Sequence, residues 1–232
     1  MGRNANPVDP VPLSRSSRST LGPTAAAMIT GDTLFATIAR TICEADCLPR
    51  KEFFEAWEVA RRVRRRFRGG PVVELAAGHG LLSAILILLD DTTPHATCID
   101  PREPQSHQRV MAVLERRWPR LEGRVHFEQG RLEDTVVPPG ALLISVHACG
   151  VLTDRVLDLA IQARCRVAVL PCCHAMDLCD SSGLEAWMDG PMAVDATRVA
   201  RLRAADFTVR CATIPAEITP YNRLIMGQPA ER

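Results

Sequence analysis

Glu74, Gly78, Gly80 and Asp100 have the types and spacing to hold a polar cofactor. The first three lie in VVELAAGHG, Val72–Gly80, and Asp100 ends ATCID twenty residues further on. A carboxylate near a strand end can pair with an ammonium group. Gly78 and Gly80 carry no Cβ, so the backbone there can turn sharply and approach a ligand closely. An acid ending the next strand can accept hydrogen bonds from both hydroxyls of a ribose. The pattern is E-x-[GA]-x-G-x-G, with Ala76 at its first glycine position. The dinucleotide fingerprint G-x-G-x-x-G/A fits less well, because Ser83 falls on its third glycine. Glu74 and this loop favour S-adenosylmethionine, which brings an ammonium group and no pyrophosphate. Further along, Gly130–Asp134 is expected beside the adenine, with Leu132 packing on the ring and Glu133 or Asp134 accepting from its amine.

A second group of reactive residues gathers in two short runs, His147-Ala148-Cys149-Gly150 and Pro171-Cys172-Cys173-His174. Ligands of open α/β sheets bind at the carboxyl ends of the strands, where both runs fall. His147 and His174 are the candidates for positioning an acceptor and removing its proton, a usual task for neutral imidazole. The cysteines have the right ligand types for zinc. Against zinc, adjacent Cys172 and Cys173 on a strand would point to opposite faces, and no C-x₂-C pair is present. The expectation is therefore no metal, with Cys149 and Cys172 as small buried hydrophobes.

Elements that position these residues follow from the apolar pattern. Helices are expected over 30–47 and 50–67, the second carrying Phe53, Phe54, Trp57, Ala60 and Val63 at helical spacing. Gly69-Gly70-Pro71 ends that helical cap. Beyond it, strands are expected at 72–76, 96–99, 125–129, 141–147, 167–170, 208–214 and 223–227, with helices at 81–89, 106–118, 153–163 and 195–205. Continuous apolar strands separated by helices imply a parallel sheet covered on both faces. The short link between the last two strands rules out a parallel crossover, so the final strand must be antiparallel. The fold class expected is α/β, a Rossmann-like seven-stranded, mostly parallel sheet with an antiparallel last strand and an N-terminal helical cap. The domain spans 70–232, the cap 29–69, and 1–28, rich in Pro, Ser, Arg and Ala, is expected to be disordered.

Such a sheet resembles that of the class I S-adenosylmethionine-dependent methyltransferases. The run H-A-C-G-V-L-T-D at 147–154, followed by P-C-C-H at 171–174, resembles the tRNA acceptor-stem 2′-O-methyltransferases and related methyltransferase-like proteins. The resemblance covers about residues 72–227. This chain lacks the N-terminal zinc-binding segments of the tRNA enzymes, and Ala175 stands where a second histidine is often found. The resemblance implies methyl transfer to RNA, possibly tRNA, or to a small metabolite. No [DN]-P-P-[YF] follows the fourth strand, which weakens the case for amino-group acceptors. A nicotinamide-dependent oxidoreductase and a non-catalytic binding protein on the same fold are the alternatives.

Composition sets outer bounds. Net charge is +1, so there is no global electrostatic case for nucleic acid or membrane. The dense basic run from Arg61 to Arg68 could hold phosphates or simply be a solvated helix face. Tyr221 and Asn222 could serve either an acceptor or a turn. No apolar run is long enough to span a bilayer; the longest, Leu81–Leu89, contains Ser83. Nine cysteines, an odd number with several in strand patterns, point to reduced thiols and a cytoplasmic protein.

Overall fold

The computed structural model describes residues 13–230. Its spine is a seven-stranded sheet of order β3-β2-β1-β4-β5-β7-β6. The strands are β1 (Val72–Leu75), β2 (Ala96–Asp100), β3 (Val125–Gln129), β4 (Leu142–Ser145), β5 (Arg166–Val169), β6 (Phe207–Thr213) and β7 (Arg223–Pro229). The first five pair in parallel, and β7 runs antiparallel to both β5 and β6. The antiparallel last strand is therefore present, and it lies inside the sheet between β5 and β6.

Alternation along each strand separates two cores. Val72, Leu142, Ile144, Leu224 and Met226 face one side, against α2 (Leu34–Ala45), α3 (Arg50–Arg66), α4 (Leu81–Leu89) and α5 (Gln105–Arg117). Val73, Leu75, Leu143, Val167 and Ile225 face the other, with Val156, Leu157 and Ala160 of α6 (Val151–Ala163) and Leu202 of α7 (Gly190–Ala204). The cap helices thus belong to the main core: Phe53, Val59, Ala60 and Val63 are fully buried. Arg64 of α3 reaches through this layer, donating to Leu86 O at 3.0 Å and Thr93 Oγ1 at 2.8 Å and pairing with Asp90 at 3.4 Å.

The segment 1–28 departs from its expected disorder over the part described; residues 1–12 lie outside the described residues. A short helix, α1 (Pro23–Ala26), is preceded by Leu21, which is buried in the core. Leu21 N–H donates to Leu48 O at 2.8 Å, and Arg50 N–H donates to Ser19 O at 3.0 Å. Low apolar content misleads here because the backbone finds its partners at the start of α3.

Candidate active site

The loop after β1 builds the site from its backbone outward. Glu74 is buried beneath the N-terminus of α4, where its Oε2 accepts the Ser83 N–H at 3.0 Å. Gly80 occupies the N-cap position of α4 with no side chain to offer, so Glu74 supplies an acceptor to the helix's orphan donors. Burial pushes the Glu74 carboxyl from an ordinary 4.5 up to about 7, against the opposing pull of the Ser83 hydrogen bonds. Ala76 holds φ +53°, the left-handed region that costs an L-residue about 1–2 kcal/mol. A glycine would take that place without strain. Gly78 holds φ +49°, and a Cβ on it would enter open space; its N–H donates to Asp100 Oδ2 at 3.2 Å.

A cavity of 270 Å³ lies over this loop, lined by Glu74, Ala76, Gly78, His79 and Asp100 below and by Leu48, Glu52, Ala56 and His147 above. A smaller one of 180 Å³ adjoins at Ala76 and is lined by Ile99, Leu132, Glu133 and Leu152. Six of the seven residues expected to bind the cofactor, Glu74, Ala76, Gly78, Asp100, Leu132 and Glu133, therefore line two cavities that share Ala76. Gly80 lines neither. A Cβ there would meet His107 Nδ1 at 2.8 Å and Cys98 Sγ at 2.9 Å, so packing beneath the loop requires this glycine.

Sequence reasoning passed over the upper wall. Glu52 on α3 pairs with His79 Nε2 at 2.9 Å, and His79 Nδ1 lies 2.6 Å from Ser106 Oγ on α5. Burial raises the Glu52 carboxyl, but the His79 hydrogen bond and the His147 charge hold it below its ordinary value. The signal was present in the loop itself, where His79 sits between the two glycines. Its partner on a cap helix was not legible, because nothing in the sequence aims Glu52 at that loop.

The two candidate histidines part company. His147 follows β4, is exposed, and borders both the 270 Å³ cavity and a neighbouring one of 360 Å³. His174 lines neither. Its side chain is 1 % exposed, and its Nε2 lies 2.8 Å from Asp195 Oδ1. Asp195 also binds Arg198 at 3.2 Å and Arg223 at 2.7 Å, and Arg198 reaches Asp154 at 2.8 Å. His174, with the Asp154 of the H-A-C-G-V-L-T-D run, thus belongs to a buried network joining α6, α7 and β7. The expectation that both histidines reach one acceptor does not hold.

The 360 Å³ cavity is lined by Arg18, Pro49, Lys51, Glu52, Glu55, His147, Cys149, Cys172 and Cys173. Here the geometric objection to metal fails: Cys172 and Cys173 lie beyond the end of β5, and their sulfurs sit 3.9 Å apart. Cys149 Sγ is 2.9 Å from Cys172 Sγ. Burial raises the Cys149 thiol, as it does that of Cys172, where the neighbouring cysteines add to the rise.

Remaining candidates resolve to structure. Arg61 and Arg62 pair with Glu58, Arg64 is buried, and Arg66 stacks over Phe67. Half of the basic run is thus held within the molecule, while Arg65, Arg66 and Arg68 are exposed. Asn222 brackets the β6–β7 turn, its Nδ2 donating to Ile214 O at 2.9 Å and its carbonyl accepting from Ile214 N–H. No helix among the described residues is long and apolar enough to cross a membrane.

Comparisons with known proteins agree with this geometry. No curated protein matches the sequence. Among solved structures, SibL, an S-adenosylmethionine-dependent methyltransferase, is similar at a TM-score of 0.54 and 16 % identity, over 89 % of this chain and 65 % of that one. The B. subtilis tRNA methyltransferase TrmK follows at 0.50 and 12 %, over 75 % of this chain and 66 % of that one. The methyltransferase domain of bacterial CtHen1 is matched over its whole length, and over 78 % of this chain, at 0.54 and 13 %. The chain spans slightly under two thirds of SibL and TrmK. A family model described as a methyltransferase domain matches residues 52–177, more than half of the sequence, and covers the cofactor loop, His147 and all three clustered cysteines. By that match, and by a sheet with the class I S-adenosylmethionine-dependent arrangement, the chain belongs to this methyltransferase-domain family.

Proposed function

We propose that this protein transfers a methyl group from S-adenosylmethionine to a small-molecule acceptor seated in the 360 Å³ cavity. The observation that carries the reading is the shared wall: Glu52 and His147 line both that cavity and the one over the cofactor loop. The residues present fit the cofactor. Asp100 has one oxygen committed to Gly78 N–H and the other free for ribose hydroxyls; Glu74 keeps an oxygen for an ammonium group; the open space at Gly78 leaves room for a ligand. Leu132 and Glu133 would hold the adenine in the adjoining cavity. When bound, the cofactor supplies an electrophilic methyl on a sulfonium.

What remains for the chain is alignment and one proton. Methyl transfer needs nucleophile, methyl and leaving sulfur in line, and Glu52 and His147, which line both cavities, would orient the acceptor towards the methyl. His147, exposed at that wall, takes the acceptor's proton on an imidazole nitrogen. Helix α3 closes over the loop through Glu52 and His79 and limits water. A small acceptor is favoured over RNA by the cavity volume of 360 Å³ and by a net charge of only +1. Nine free thiols suit a reducing compartment, the cytoplasm.

Calorimetry tests the cofactor site. Charge-assisted hydrogen bonds contribute about 1.5–3 kcal/mol. Asp100→Ala is expected to weaken S-adenosylmethionine binding at least tenfold with the fold intact, and wild-type affinity in that variant removes the assignment. A methyl-transfer screen on metabolite and RNA fractions of cell extract then separates the acceptor classes. Labelling confined to the RNA fraction would replace the small-molecule reading.

A further inference from the structure

Three sulfurs from two separate loops meet in one place. Cys149 follows β4, Cys172 and Cys173 follow β5, and all three Sγ atoms lie within 4.8 Å of one another. All are free thiols, half-buried or exposed at the 360 Å³ cavity. Zinc–sulfur bonds are about 2.3 Å long, so sulfurs arranged tetrahedrally about one ion stand about 3.8 Å apart. The separations of 2.9 and 3.9 Å straddle that value. The two loops are also joined by backbone, Gly150 N–H donating to Cys173 O at 3.2 Å, and the Arg198 side chain of α7 holds the first of them by donating to Gly150 O at 2.9 Å. The sulfurs therefore converge on a scaffold that owes nothing to an ion.

We propose that Cys149, Cys172 and Cys173 bind one zinc ion as three thiolates, with the fourth position open to the acceptor cavity. Thiolate ligands select soft or borderline metals such as zinc over calcium or magnesium. As three Zn–S bonds form, three S–H bonds break and their protons pass to solvent; no oxidation state changes. Zinc with three thiolates carries one negative charge; Arg18 and Lys51 line the same cavity, together with Glu52 and with Glu55, which pairs with Lys51 at 3.0 Å. Three protein ligands and an open position are the pattern of a catalytic zinc site, whereas structural sites are closed by four. The site stands independently of the cofactor assignment.

The full chain, purified with a reductant and without chelators, is tested by elemental analysis and by zinc and cobalt titration. About one zinc per chain is expected, along with the visible absorption of tetrahedral cobalt bound to thiolate. Cys149→Ser, Cys172→Ser and Cys173→Ser should each weaken zinc at least tenfold. Cys211→Ser, on β6 and outside the cluster, should leave it unchanged. The cobalt spectrum of the wild type keeps the proposal testable if a serine variant fails to fold. Wild-type protein that takes up neither metal overturns it, as do serine variants that hold zinc as tightly as wild type. Loss of zinc in Cys211→Ser would place the ion elsewhere. A mass two hydrogens short in metal-free protein, with peptide mapping that joins Cys149 to Cys172, would put a disulfide there in its stead.

Discussion

At the scale of the residue, Glu74 serves two masters. It holds the first turn of α4 through Ser83 and faces the cavity over the cofactor loop. Its folded-state value of about 7 exceeds the ordinary 4.5, so between those limits the folded protein binds more protons than the unfolded chain. Stability from this group is present at pH below 4.5 and is lost as pH rises through 7. Glu74→Gln cannot titrate, so in the absence of cofactor its melting temperature should lack that decline and exceed wild type at pH 8. The same variant should bind S-adenosylmethionine less tightly, having no negative charge for the ammonium group. Melting curves across pH, with and without cofactor, check both halves. If wild type and variant fall in parallel from pH 5 to 8, Glu74 is not the titrating group.

At the scale of the element, the loops after β4 and β5 place the two histidines in different surroundings, His147 exposed at two cavities and His174 buried against Asp195. His147→Asn should lower turnover by roughly 10²–10⁴, the usual size of a general-base contribution, with an unchanged melt. His174→Asn should act in reverse. It breaks a buried hydrogen bond to Asp195, costing about 1–3 kcal/mol, and leaves turnover per folded molecule near wild type. Single-turnover assays beside thermal melts separate the two, and a catalytic loss at His174 with no change in melting would reverse the assignment. The central strands were legible because buried parallel strands are continuous apolar runs: Val72–Leu75 and Leu142–Ser145 are buried at every position and fall where expected. The shape of the loop after β1 was legible because Gly78 and Gly80 take positive φ and Asp100 and Glu74 bind its local backbone. The role of His174 was not. It depends on Asp195 and Arg223, far along the chain, and strand-end position alone does not say which way a side chain turns. Cys172 and Cys173 were misjudged for a related reason: opposite faces follow from strand geometry, and β5 ends at Val169, before either residue.

At the scale of the whole molecule, the cap and the sheet are one body, and Asp90 is a joint between them. It accepts Gly69 N–H at 2.8 Å ahead of β1, caps Thr92, and faces Arg64 from α3. Burial would raise its carboxyl, but the Gly69 and Thr92 hydrogen bonds and the Arg64 charge hold it at about 2, below the ordinary 3.8. Its contribution, about 2 kcal/mol by linkage, is present above pH 3.8 and lost as pH falls through 2. Asp90→Asn should therefore be less stable than wild type at pH 6, with the gap closing in acid. Urea midpoints between pH 6 and about pH 2.5 measure this, and a gap that stays constant would remove Asp90 from the acid limb.

The placement of β7 has a consequence for how the protein comes into being. The strand enters between β5 and β6, so the gap beside β5 is filled by residues 223–229. During synthesis the chain leaves the ribosome from its N-terminus, and β1 to β5 can pair while that gap still stands open. Until Arg223 arrives, Asp195 lacks one of its partners and the edges of β5 and β6 are bare backbone, available to any passing strand. Formation of this sheet is thus gated by β7, and its nascent strands are most exposed to aggregation before residues 223–229 arrive.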